Sequence, residues 1–314
     1  MSKRRFLVSP LRLGLIASIV SMSALACSGG SDTGAGTGDG SVSDGGSVSD
    51  GQGPTPDSTT VDTSLLPNWC QGQPASFSFF VTSMDALWAL SESTPGDLNG
   101  GFGGNFGGMS GADEICQKIG AATGNGGKNW RAFLSATDDG NGNPVHAIDR
   151  IGTGPWSDAN GRLVATGIPG LLSGFRPDGD AQAVADLVDE CGVPTSTLGD
   201  AHDVVTASGE NGKLFRPGGQ ISLEATCNDW SSSDGSVGST GGVFAGPLKC
   251  GHSFPREGGG GGSGFGQKWL SDHSLRGCGK GANLLQNGPG EGTCIGCSGG
   301  YGALYCFVDD SASL

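Results

Sequence analysis

The sequence predicts an α+β fold that is mainly β, a twisted mixed sheet with one or two packed helices and disulfide staples. Three observations predict it. The 314 residues include 62 glycines and only 35% hydrophobic residues, which suits one modest core with long loops rather than two full domains. Short apolar segments alternate with Gly, Asn and Asp clusters along most of the chain. Only two stretches repeat apolar residues at helical spacing, and ten cysteines accompany an export signal.

Residues 1–26 carry Lys3, Arg4, Arg5 and Arg12 followed by "LGLIASIVSMSALA", a basic then apolar pattern ending in small residues. This is a secretory signal, too short and too rich in Ser and Ala for a membrane span. It ends in "SALAC", similar to a bacterial lipobox, which makes Cys27 the lipidated first residue of the mature chain. The same "ALA" fits an ordinary A-x-A cleavage site, the alternative to lipidation. Ser28 in the position after Cys27, where Asp would retain the protein at the inner membrane, favours the outer membrane of a Gram-negative-type bacterium. Signal removal leaves 13 basic and 31 acidic residues, a net charge of −18. Such a chain is expected to repel nucleic acid, heparin-type polyanions and anionic membrane surfaces.

Residues 27–66 form a Gly/Ser/Asp-rich tether in which "GSVSDG" nearly repeats and no large apolar residue occurs before Leu65. As a Gly/Ser coil it reaches about 30–37 Å, enough to hold a domain clear of a headgroup layer. Residues 67–314 make the domain. Its strand candidates are "SFSFFVTS", "NWRAFLSA", "AIDRIG", "GRLVATGI", "DVVTAS", "TCNDWSSS", "QKWLSD" and "GALYCFV". "DANGRLVA" and "GENGKLF" predict hairpins, because Asn-Gly supplies the positive φ of a tight turn. A helix is predicted from Ser110 as N-cap to about Ala121, with Ala112, Ile115, Cys116 and Ile119 on its apolar face. A second is predicted over "DAQAVADLVDEC", residues 180–191.

Beyond Cys27 there are nine cysteines: Cys70, Cys116, Cys191, Cys227, Cys250, Cys278, Cys294, Cys297 and Cys306. An exported chain oxidises them, and an odd number leaves one thiol over. Cys294 and Cys297 form a lone C-x-x-C without the second pair of a zinc site or the βαβ context of a redox motif.

"GADEIC" followed by "WRAFLSA", then "TCNDW", then a cysteine nine residues before that of "LYCFV", resembles the endostatin domain of certain collagens and a bacterial family of secreted or lipidated endostatin-like domains. The resemblance runs patchily from Phe77 to Val308; residues 167–199 match poorly and read as an insertion. It implies a compact relative of the C-type lectin fold with two nested disulfides. Carried over, Cys116 pairs with Cys306, and Cys227 with Cys297, Cys294 and Cys278 being the other partners open to Cys227. The family's zinc-binding histidines near the domain start have no counterpart in "NWCQGQPASFSFF", so zinc is not carried over. Its heparin-binding arginine patch is absent too.

Arg131 reads as a structural arginine against a carboxylate such as Asp113 rather than a ligand contact. Trp130, Trp156, Trp230 and Trp269 read as core, a carbohydrate-stacking platform being the alternative. Asp138 and Asp139 in "TDDGNGN" are the clustered oxygens best suited to calcium, but the turn lacks the Glu of an EF-hand and reads as a solvated loop. His146, His202, His252 and His273 have no short metal spacing. No residue is nominated as a nucleophile with its base, so no enzyme and no cofactor are expected. The readings together make a cell-envelope lipoprotein presenting a binding or adhesion module to an extracellular protein or glycan. The alternatives are a periplasm-facing structural envelope protein and a hydrolase on the same scaffold.

Overall fold

The computed structural model describes residue 70 and residues 76–239, 246–256, 264–285 and 292–311. The signal peptide, Cys27 and the tether lie outside the described residues. In chain order the regular elements are β1 (Phe79–Val81), α1 (Met84–Leu90), α2 (Gly108–Ala122), β2 (Trp130–Ala132), β3 (Trp156–Ser157), β4 (Leu163–Ala165), α3 (Ile168–Leu171), α4 (Ala181–Ala185), β5 (Asp203–Val205), β6 (Cys250–His252), β7 (Gly279–Ala282), β8 (Cys294–Gly296), β9 (Gly300–Ala303) and β10 (Tyr305–Val308). The fold is mixed, mainly short sheets with few helices. Its sheets run β1-β10-β2 antiparallel, β3-β4 as a hairpin, β6-β5-β9 mixed, and β7-β8 parallel.

The first sheet is two-sided because side chains alternate along a strand. Phe80, Cys306 and Ala132 stand opposite one another, and Phe80 meets Trp130 at 4.9 Å between ring centroids. On the other face Phe79 meets Phe307 at 4.8 Å, and Trp156 meets Phe307 at 5.3 Å. Helix α2 covers the first face, burying Ala112, Ile115, Cys116 and Ile119. Gly120 admits the indole of Trp130: a Cβ there would stand 2.3 Å from its Nε1. The helix begins earlier than its predicted Ser110 cap. Gly107 and Gly108, both at positive φ, turn the chain into it without a side-chain cap, and Ser110 falls in the first turn.

Arg131 does pair with Asp113, at 2.9 Å, and a second arginine, Arg150, joins the same carboxylate at 2.6 Å. Asp113 also accepts from the Ala132 amide on the free edge of β2, at 2.9 Å. Trp130, Trp156, Trp230 and Trp269 are each no more than 1% exposed, so they are core and form no stacking platform.

Both predicted hairpin turns are present, at residues 158–162 and 209–213. The predicted helix over 180–191 is cut to α4. Asp180 caps it, accepting from Gln182 and Ala183, but the chain then turns extended. The Val81 amide donates to Val188 O and the Leu187 amide to Ser253 O, so sheet edges capture the apolar half of the pattern. "TCNDW" holds four successive residues, Cys227 to Trp230, at φ between 50° and 66°. This left-handed turn is fixed by Asp229, which accepts from the Thr137 amide and hydroxyl at 2.6 Å each, and by Trp230 Nε1 donating to Ser135 O.

Four disulfides join Cys70–Cys191, Cys116–Cys306, Cys227–Cys278 and Cys294–Cys297. The long staple from α2 to β10 is the expected one. Cys227 takes Cys278 rather than Cys297, because the segment leading into β7 lies against the left-handed turn across Gly104. That residue's amide donates to Cys278 O, and a Cβ on it would stand 2.4 Å from Cys227 Sγ. The C-x-x-C closes on itself. Cys250 is the free thiol among the described residues.

Candidate functional site

Two places combine polar chemistry with a built environment. The first is the β6-β5-β9 sheet. Asp203 opens β5 directly opposite His252 at the end of β6, and Val205 stands opposite Cys250. His202 precedes Asp203, and His273 lies on the segment packed along β6, where its carbonyl accepts from the Cys250 amide. Gly299 leaves room for the His202 ring, since a Cβ there would stand 2.3 Å from His202 Cε1. The sheet thus gathers three of the four histidines that sequence spacing leaves scattered. His146 lies apart, its Nδ1 accepting from the Leu214 amide.

Three imidazole Nε2 atoms converge on one oxygen, Asp203 Oδ1, at 3.3 Å (His202), 3.5 Å (His252) and 3.0 Å (His273). Each opposite ring nitrogen is tied down. Nδ1 of His202 meets Asp200 Oδ1 at 2.9 Å, that of His252 meets Gly266 O at 3.1 Å, and that of His273 meets Ser274 O at 3.1 Å. Arg256 pairs with Asp200 at 2.7 Å. His202, Asp203 and His252 are 1% exposed and His273 5%. Two atoms of the cluster, Asp203 Oδ2 and His252 Nε2, are buried without a hydrogen-bond partner.

The electrostatics follow from this crowding. Burial pushes the Asp203 carboxyl up, but the three imidazoles outweigh it and hold it well below the usual carboxylate range. His273 is lowered by burial and raised further by Asp203, and ends well above an ordinary histidine. His252 is driven well below, by burial and then by its two histidine neighbours. Burial and the Asp203 charge push the Cys250 thiol up to about 12, so it stays protonated and donates to Asp203 Oδ1 at 3.5 Å.

The second place is an open cleft of about 300 Å³, lined among others by Ser83, Asp85, Asp189, Val193, Leu198 and Tyr301. Much of its wall comes from the segment expected to be an insertion, residues 167–199. Asp189 Oδ1 accepts from the Cys191 and Val193 amides and shapes that wall. Beneath it, buried Glu190 accepts from the Ser83 amide at 2.9 Å and the Ser83 hydroxyl at 2.5 Å. Burial and the Asp189 charge raise Glu190 to about 7, and burial raises Asp189 to about 6.

The remaining candidates serve the scaffold. Asp138 and Asp139 spend their Oδ1 atoms on backbone amides of their own turn, Gly140 and Gly142 for one and Asn141 and Asn143 for the other. The clue to the histidine cluster in sequence is weak: "AHDVV", "CGHSF" and "SDHSL" each place a histidine beside a short apolar or glycine-broken run. No protein-family model matches this chain, and no curated protein sequence matches it either.

Proposed function

We propose that this chain is an outer-membrane lipoprotein presenting an endostatin-like binding or adhesion module on a tether, with the cleft beside the insertion as its ligand site. One observation carries the choice of binding over catalysis. The side chains best equipped for chemistry, His202, Asp203, His252 and His273, are sealed at 5% exposure or less, whereas the cleft is open. A substrate has no route to the first and a ligand has one to the second. The lipobox-like "SALAC", the tether and four disulfides suit an exported, oxidised, anchored protein.

The cleft sets acidic Asp85 and Asp189 beside apolar Val193 and Leu198 on a chain of strongly negative charge. That chemistry fits a basic, partly apolar segment of an extracellular protein. The test is binding of a lysine- and leucine-containing peptide to the full chain, with D85K as the variant, since Asp85 is exposed and its replacement leaves the core untouched. Binding that weakens at least tenfold in D85K supports the reading; equal binding by both proteins sinks it. Protease shaving of intact cells decides orientation, because a domain left uncut faces the periplasm. Palmitate label persisting in Cys27→Ala refutes the anchor.

A further inference from the structure

We infer that His202, Asp203, His252 and His273 together bind one divalent transition-metal ion, of which zinc suits the donors best, as a structural centre closing the β6-β5-β9 sheet. The first argument is the direction of the lone pairs. Gly266 O and Ser274 O are carbonyls and can only accept, so the Nδ1 atoms of His252 and His273 carry hydrogen. A neutral imidazole protonated there bares its Nε2 lone pair. Both bared atoms, and His202 Nε2, face a carboxylate oxygen that is itself an acceptor. Acceptors facing one another at 3.0–3.5 Å in a dry interior require positive charge between them.

Protons can supply that charge, and they leave a remainder. A proton shared between His273 Nε2 and Asp203 Oδ1 accounts for the 3.0 Å contact. It leaves His252 Nε2 buried without a hydrogen-bond partner, at a desolvation cost. Protonating the other two histidines as well would set three cations against one carboxylate out of reach of water. A single cation coordinated by the three Nε2 atoms and Asp203 Oδ1 gives His252 Nε2 a partner and offsets the charge of the carboxylate at once.

The second argument is metric. Ligands held about 2.0–2.1 Å from a tetrahedral ion stand about 3.3 Å apart. The three edges from Asp203 Oδ1 are 3.0, 3.3 and 3.5 Å, and all four ligand atoms lie within 4.8 Å of one another. The third is the outer support. Metal-bound histidines give their other N–H to a carboxylate or carbonyl, which fixes tautomer and ring orientation, and all three rings here have such a partner in Asp200, Gly266 or Ser274. Three imidazoles and one carboxylate are borderline nitrogen and oxygen donors that suit zinc better than calcium or magnesium. Four protein ligands in a sealed site leave no open position, so the ion's work is structural. These four residues come more than 120 positions later in the sequence than residues 68–80, where the endostatin resemblance would place metal ligands.

The test uses the full chain, extracted from membranes without chelator and assayed for bound metal. Because the site is sealed, the wild-type protein is also unfolded in guanidinium with its disulfides intact and refolded with zinc or with chelator. About one equivalent of zinc, and a higher melting temperature for the zinc-refolded protein, support the proposal. Less than a tenth of an equivalent after refolding in zinc overturns it. His252→Ala is expected to lose the bound ion. If that variant fails to accumulate, Asp200→Asn decides, with an expected 10- to 100-fold weaker affinity through loss of the carboxylate behind His202. Zinc held with unchanged affinity in these variants overturns the assignment. Neither substitution touches the cleft, so this result is independent of the peptide-binding test.

Discussion

The α2-β2-β10 layer leaves part of its helix exposed while the β6-β5-β9 sheet is buried throughout, and each is crosslinked by groups far apart in sequence. The first is joined by a covalent bond between Cys116 and Cys306, 190 residues apart, with the Asp113 ion pairs beside it. The second is joined by three imidazoles and a carboxylate converging on one point. A chain with 62 glycines among 314 residues has little apolar side chain with which to hold such layers, so both crosslinks stand in for packing. The disulfide acts chiefly by restricting the unfolded chain. The polar cluster acts in the folded state, where each member must be satisfied.

The sharpest way to break that comparison is to cut the staple. Removing a bridge that closes 190 residues costs about 5 kcal/mol in the chain-entropy picture, most of a typical domain's stability. Cys116→Ala should therefore not accumulate, and immunoblotting against the wild-type yield checks it. Cys294→Ser with Cys297→Ser opens a bridge with a sequence separation of only 3, worth about 2 kcal/mol on the same account. That variant should accumulate with a lowered melting temperature. Equal yields of the two variants would show that loop length does not govern these bridges.

A smaller loss is expected from Asp113→Asn, which keeps an acceptor for the Ala132 amide and removes the charge facing Arg131 and Arg150. Arg150 is only 16% exposed along its side chain and Arg131 37%, so the uncompensated charge is chiefly that of Arg150. Breaking a buried pair by removing one partner costs about 3–5 kcal/mol, and the wet Arg131 places this site near the lower figure. Denaturant unfolding should show a reduced midpoint at unchanged slope. A midpoint within error of wild type would make the arginine cluster dispensable to the staple layer.

The two layers also differed in how far their sequence could be read. Helix α2 was legible because its information is local. Ala112, Ile115, Cys116 and Ile119 fall on one face within eight residues, and Asp113 on the same helix is near enough to suggest itself for Arg131. The histidine cluster was not, since His202, His252 and His273 are 50 and 21 residues apart and meet only through the β5-β6 register and the segment of His273 bonded to Cys250 on β6. Cys227 had three partners within twenty residues of one another, and the path of the chain into β7 selects Cys278. The helix foreseen over residues 180–191 failed for a related reason: Leu187 and Val188 fit an amphipathic helix and a sheet edge equally well, and β1 took Val188 while Ser253, just after β6, took Leu187. Local pattern was decisive only where no distant edge competed for the same residues.

The floor of the cleft offers the finest probe, through Glu190. Its carboxyl lies buried under the cleft, raised to about 7 from an ordinary 4.5 by burial and the Asp189 charge. A carboxyl whose folded pKa exceeds its unfolded one binds more proton when folded. Between about pH 4.5 and 7 the folded state therefore gains stability as pH falls, by up to about 1.4 kcal/mol per unit, and loses it as pH rises. Glu190→Gln keeps both hydrogen bonds to Ser83 available while removing the titration. The difference in unfolding free energy between the variant and wild type should grow from pH 5 to pH 7.5 in favour of glutamine, then level off. Groups away from the cleft are common to both proteins and drop out of the difference, while Asp189, whose charge acts on Glu190, titrates with it as a pair. A pH-independent difference would mean that Glu190 ionises no differently folded than unfolded, and that the floor of the cleft is wet.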